Sequence, residues 1–135
     1  CIVDRWNTPS AVQYFEYGMM VWVEAFDTVI LMKNNGEYWY YIDTYEGGAQ
    51  ELTTPPPGYY PARYGFGAVW ENDFVAREAL GWGVGPEISY QGFVESTVPL
   101  VQNGQLTFQG LLFLTLPNGA RVQVDMASAS WTYMD

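Results

Sequence analysis

The sequence predicts an α+β fold: mainly antiparallel β hairpins with one short helical segment, the β part arranged as two units related by a weak internal repeat. Three observations carry this expectation. Asn-Gly occurs three times between apolar runs, at Asn35-Gly36, Asn103-Gly104 and Asn118-Gly119. Both residues tolerate the positive φ of a type I′ turn, so each pair marks a hairpin. The runs beside them have strand length and strand patterning, clearest in Ala120–Met126, where Val122, Val124 and Met126 alternate with Arg121, Gln123 and Asp125. Between the β regions, Phe66, Val69, Trp70, Phe74 and Leu80 fall near one face of a 3.6-residue period.

In chain order, strands are expected at Val12–Tyr17 and Met19–Glu24, then at Thr28–Lys33 and Glu37–Ile42 around the first Asn-Gly. The segment Glu46–Tyr64 contains Gly47-Gly48, Pro55-Pro56-Pro57-Gly58 and Pro61, and reads as an extended loop with polyproline character. Phe66–Gly81 follows as two short helices or one kinked helix. Asn72 suits the cap of a second helix, Asp73 its first turn, and Gly81 its C-terminal stop. Strands resume at Ile88–Val94, Val98–Gln102, Gln105–Gln109, Leu111–Leu116, Ala120–Met126 and Ser130–Tyr133, so about eight to ten strands are expected from the hairpin count. The repeat lies between Val12–Val23 and Tyr90–Val101, with Gln13 matching Gln91. The organisation is one compact domain over 1–135: a β unit at 11–45, the Pro-rich loop and helix at 46–87, and a β unit at 88–135, with a shared core.

Composition excludes several functions. Five basic residues stand against fifteen acidic ones, a formal net charge of −10, which opposes binding to nucleic acid or to an anionic membrane. The chain has no histidine, which removes Ser-His-Asp and Cys-His catalysis and histidine-ligated zinc. No cofactor is implied. Glycines at Gly65-x-Gly67 and Gly81-x-Gly83-x-Gly85 lack the lysine and the strand–loop–helix order of a phosphate cradle, and read as turns. Asp43–Glu51 holds three carboxylates around a glycine turn but lacks a calcium-loop pattern, so no metal site is expected. Glu16, Glu24, Asp43, Glu46, Glu87 and Glu95 lie near aromatic residues and are the candidates for a glycosidase pair, which the sequence alone does not bring together. A glycoside-acting enzyme is therefore a distant third reading, and no catalysis is expected.

Aromatic residues make up 18% of the chain and charged residues 15%, so the surface is expected to display rings. Such surfaces mark protein interfaces and sugar-binding faces. In Glu37–Ile42, Trp39 and Tyr41 face one way, Tyr38 and Tyr40 the other. One set belongs to the core; the other, with Tyr59, Tyr60 and Tyr64 of the Pro-rich loop, is the candidate interface or glycan platform. The single cysteine is Cys1. Its position is that of a lipid-modified cysteine at the mature start of a bacterial lipoprotein, and any membrane link is expected through it alone.

Leu80-Gly81-Trp82, Gly85-Pro86-Glu87 and Gln91-x-Phe93 resemble the LGFP-type repeat of bacterial cell-wall-associated proteins. Gln13-x-Phe15-x-x-Gly18-x-Met20-x-Trp22 matches its second half. Gly65-Phe66-Gly67-x-Val69-Trp70 leading to Arg77-Glu78-x-Leu80-Gly81-Trp82 is similar to a module of uncharacterised secreted bacterial lipoproteins. The resemblance covers Val12–Trp82; the C-terminal copy departs from it, with Ser96 for glycine and Leu100 for tryptophan. It implies an extracellular or cell-surface module of the bacterial envelope without attached chemistry. The expected function is a structural, self-associating surface protein, a surface-layer or filament subunit whose partner is itself. The alternative is a module that binds peptidoglycan or another cell-wall glycan.

Overall fold

The computed structural model describes residues 2–99, 101–102, 105–106 and 109–134. The first half is a meander: β1 (Asp4–Phe15), β2 (Gly18–Val23), β3 (Thr28–Lys33) and β4 (Tyr38–Ile42). Two helices follow, α1 (Tyr64–Asn72) and α2 (Phe74–Leu80). The second half comprises β5 (Ile88–Ser96), a short pair β6 (Val101–Gln102) and β7 (Gln105–Leu106), then β8 (Leu111–Thr115), β9 (Arg121–Asp125) and β10 (Ser130–Met134). Gly36 and Gly119 take φ of 94° and 86°, as their hairpin turns require. The expected Asn103-Gly104 turn lies outside the described residues, as does Cys1.

The expected α+β class with two β units does not hold. Eight strands form a single antiparallel sheet in the order β10-β9-β8-β5-β1-β2-β3-β4, and the helices only cover one flank. The join is β1, which pairs with β2 over Ser10–Phe15 and with β5 over Asp4–Val12. The sheet curls until its ends nearly meet, giving an almost closed barrel. At the seam, Glu37 bridges Ser130, the Trp131 N–H donates to the Gly36 carbonyl (2.9 Å), and its indole N–H to the Lys33 carbonyl (2.7 Å). The reason for the single sheet is alternation: Val12, Val21, Ile30, Val94, Leu114, Val122 and Trp131 all point into one interior. Two separate units would each leave that face in water.

The internal repeat also fails as structure. Its first copy turns sharply between β1 and β2, and a side chain on Gly18 would collide with the Met32 carbonyl oxygen. The matching residue of the second copy is Ser96, and Tyr90–Ser96 runs on as one strand.

The outward faces of β1–β3 are apolar too, so they need a cover. Phe66, Val69, Trp70, Ala76 and Leu80 supply it, packing on Ala11, Phe15, Met20, Val29 and Leu31. Asp73, not Asn72, caps α2: its Oδ1 accepts the Val75 N–H at 2.9 Å, while the Asn72 amide donates back to the Ala68 carbonyl.

Candidate functional site

A cleft of about 430 Å³ opens on the outer flank of the barrel, where the helical cover ends. Its floor is Ala11 of β1, Trp22 of β2 and Ser89 of β5; its walls are Asp27, Asp43, Tyr45, Gly47, Glu87 and the first turn of α1 at Tyr64–Phe66. A second hollow of about 320 Å³, lined by Tyr60, Pro61, Arg63 and Pro86, shares Tyr64 and Glu87 with it, so the two form one groove.

Backbone geometry brings the acids together. Asp27 ends a 3-10 turn (Glu24–Phe26) in the left-handed region, φ 48°. The N–H of Asp43, just past β4, donates to the Asp27 carbonyl at 2.8 Å, which brings the two residues together on the cleft wall, near enough for Asp27 to act on the Asp43 carboxyl. Asp43 Oδ1 also accepts the Tyr45 N–H at 3.0 Å, which starts the cleft-lining loop. A Cβ on Gly65 would lie 2.9 Å from Asp43 Oδ1, so glycine lets α1 approach this carboxylate without displacing it.

Burial pushes the Asp43 pKa up, aided by the neighbouring Asp27, while the Tyr45 N–H and the Trp22 indole pull the other way. That indole N–H is buried and faces Asp43 without reaching full hydrogen-bond geometry. Burial, then the charge of Asp43, raises Glu87 as well. Among the described residues no group of carboxylates is arranged to hold a metal ion.

Tyr64 stands at the mouth, 53% exposed, with φ 56°, an outlier for so bulky a residue. Gln50 holds it there: its side-chain oxygen accepts the Tyr64 N–H (2.6 Å) and its amide donates to the Tyr64 carbonyl (2.8 Å). The ring lies 5.7 Å from that of Tyr45, tilted by 58°. Across the groove, the Gln13 amide donates to the Pro61 and Gly85 carbonyls and fixes the loops that carry Tyr60 and Glu87.

The candidate aromatic residues thus fall into three places. Tyr38 is buried inside the barrel and Tyr40 lies exposed at its open seam. Trp39 and Tyr41 are half-buried under the helices. There the Trp39 indole donates to the Tyr41 hydroxyl and that hydroxyl to Asp73, both at 2.6 Å, which ties β4 to the α2 cap. Burial and the bond to Asp73 raise the Tyr41 pKa to about 12. Tyr59, Tyr60 and Tyr64 are exposed, the last two on the groove.

Of the candidate carboxylates, Asp43 and Glu87 share the cleft. Glu16 accepts the Trp82 N–H, Glu95 sits between Arg5 and Arg121, Glu24 opens the 3-10 turn, and Glu46 lines an adjoining polar hollow that meets the cleft at Tyr45 and Gly47. Sequence reasoning missed Trp22, Asp27, Tyr45 and Gln50 as site residues. Trp22 had a signal, an outward-facing indole in an otherwise aliphatic strand; Gln50 had none.

The fold and site together define a barrel-like antiparallel β protein with an aromatic, acidic groove on one flank. Compared with protein-family models, curated proteins and solved structures, the chain matches none.

Proposed function

We propose that the protein is a non-catalytic binding module of the bacterial envelope whose groove takes a cell-wall glycan. The observation that carries this reading is the groove itself: Tyr45, Tyr60, Tyr64 and Trp22 beside Asp27, Asp43, Glu87 and Ser89. Aromatic faces stack on the apolar faces of sugar rings, and carboxylates accept from hydroxyls. A mostly apolar and aromatic lining with a few convergent polar groups is the usual make-up of a small-molecule site. The strained, doubly held Tyr64 supports it, since strain that a fold maintains gathers at ligand clamps. The test is a titration with β-linked oligosaccharides, chitotetraose first, followed by Trp fluorescence and amide NMR shifts. Shifts confined to the groove, weakened about tenfold by Tyr64→Ala, support the reading; no shift with any oligosaccharide at 10 mM (on the order of the weakest useful affinity) refutes it.

Self-association is the second reading, favoured by the incomplete seam. Beyond the Glu37–Ser130 bridge, Tyr40 and Ile42 of the terminal strand β4 are 41% and 59% exposed. A terminal strand with exposed apolar side chains is open to pairing with a second copy. Sedimentation velocity decides it: large species that Tyr40→Lys with Ile42→Lys dissolves would favour assembly, and a monomer at high concentration would remove it.

A further inference from the structure

We infer that the cleft selects a saccharide bearing a primary ammonium group, an inference that rests on the glycan reading above. Three acids, Asp27, Asp43 and Glu87, line one cleft of an already acidic chain, and among the described residues none is ion-paired with a basic side chain. Four of the five basic side chains are engaged elsewhere: Arg5 and Arg121 with Glu95, Lys33 with Glu37, and Arg77 with Glu71. The fifth, Arg63, lines the adjoining hollow and makes no ion pair among the described residues. A metal ion does not suit the arrangement, because the carboxylates are not grouped as ligands. A larger organic cation does suit it. An ammonium on a sugar ring reaches single carboxylates one at a time and gains from nearby ring faces, here those of Trp22, Tyr45 and Tyr64.

Two features of the walls sharpen the choice. Burial and acidic neighbours disfavour the charged forms of Asp43 and Glu87, and a positive charge placed beside them favours those forms. The buried Trp22 N–H points at Asp43 short of a full hydrogen bond, which keeps a donor beside that carboxylate on the cleft floor. An N-acetylated sugar would bury a neutral amide against these carboxylates and supply no such charge. The same ammonium could reach the cleft on a sugar or on the side chain of a cell-wall peptide, and the two sources are separable.

The experiment is isothermal titration at pH 6 and low salt with three probes: chitotetraose carrying one free amine, fully N-acetylated chitotetraose, and Nα-acetyl-lysine amide. The free-amine tetramer should bind at least about tenfold tighter than the acetylated one. Asp43→Asn should cut that preference to under threefold, and Glu87→Gln serves if the first variant folds poorly. Glu78→Gln, the same charge change on α2, should leave the preference intact. Equal binding of both tetramers overturns the inference and leaves the glycan reading standing. Binding of neither tetramer overturns both the inference and the glycan reading, and binding of the lysine probe in that case assigns the ammonium to a peptide instead. A preference that Glu78→Gln lowers as much as Asp43→Asn marks general attraction to an acidic protein and overturns the site.

Discussion

Replacing Tyr64 by alanine and by glycine should reverse the usual order of helix propensities. At an ordinary helical position glycine is worse than alanine by up to about 1 kcal/mol. Tyr64 opens α1 with φ 56°, where a Cβ costs about 1–2 kcal/mol and glycine costs nothing. Glycine gives back roughly 0.5–1 kcal/mol through the greater freedom of the unfolded chain. The net expectation is that Tyr64→Gly exceeds Tyr64→Ala in stability by about 0.5–1 kcal/mol, taken from those two ranges. Both variants lose the same ring contact with Tyr45, and both keep the Gln50 bonds, which grip only the backbone. The difference between them therefore isolates the backbone. Urea unfolding followed by far-UV circular dichroism measures it, and a thermal melt should separate the two by roughly 2–4 °C for a domain of this size. Alanine equal to or better than glycine would show that Tyr64 is not held in the left-handed region, and the clamp argument would fall with it.

Three further expectations concern the seam, the helical cover and the acids. Trp131→Phe keeps a ring in the core but removes the donor to the Lys33 carbonyl, so it should cost about 1–2 kcal/mol and speed amide exchange in Asn34–Tyr38; unchanged exchange there would detach the indole from barrel closure. Tyr41→Phe breaks the relay from Trp39 to Asp73 and strands the indole N–H, for a loss of about 1–3 kcal/mol in urea unfolding with α2 loosened first in exchange; wild-type stability would argue against the relay. For Asp43 and Glu87 the folded pKa lies above the unfolded one, so the native state binds protons more readily and both groups lower stability at neutral pH. Asp43→Asn and Glu87→Gln should therefore raise the melting temperature at pH 7. The gain should shrink as pH falls through the raised values and vanish below about pH 4, where the unfolded carboxyls are protonated too. A gain that grows on acidification would contradict the direction of both shifts.

Local features were legible in the sequence and long-range ones were not. The Asn35-Gly36 and Asn118-Gly119 turns follow from one dipeptide each, and the alternation of Val122 and Val124 with Arg121 and Gln123 is the burial pattern of β9. Tyr38 parts from Trp39 and Tyr41 as a period of two demands. The start of β1 was not legible, because Trp6-Asn7-Thr8-Pro9-Ser10 alternates a ring and two buried hydroxyls with polar residues and contains no apolar run. It is a strand because β5 pairs with it from Asp4 onward, a contact about 85 residues away in the chain. The α+β expectation failed for the same reason: hairpin signals specify neighbours in sequence, whereas one sheet depends on β1 accepting β5. Within the site, Tyr60 and Tyr64 could be singled out by their loop. Asp27 could not, since nothing in Phe26-Asp27-Thr28 announces a left-handed residue.

The position of the groove follows from a change in polarity across the sheet. Met19–Val21 and Thr28–Met32 are buried on both faces, so β2 and β3 must be covered outside as well as filled inside. The helices meet that need, and their reach is set by the apolar stripe beneath them, which runs from Val29 and Leu31 to Ala11 and Phe15. One strand further on, β5 turns Ser89, Gln91, Phe93 and Glu95 outward, with Gln91 bonded to Asn7 and Glu95 to Arg5 and Arg121, so the helices find no continuous apolar stripe there to cover. The cover therefore stops over Ala11, whose small side chain leaves a step between the edge of α1 and the exposed surface of β5. Loop residues that could not be buried in either layer collect along that step: Asp27 and Asp43 from the strand ends, Tyr45 and Tyr64 from the Pro-rich connection, Glu87 from the return to β5. A polar substitution on the stripe at Leu31, which pairs with Met20 and lines neither hollow, should loosen the cover and disorder the cleft wall. The same change at Ser89, on the far side of the step, should leave the fold intact and alter only what the groove accepts.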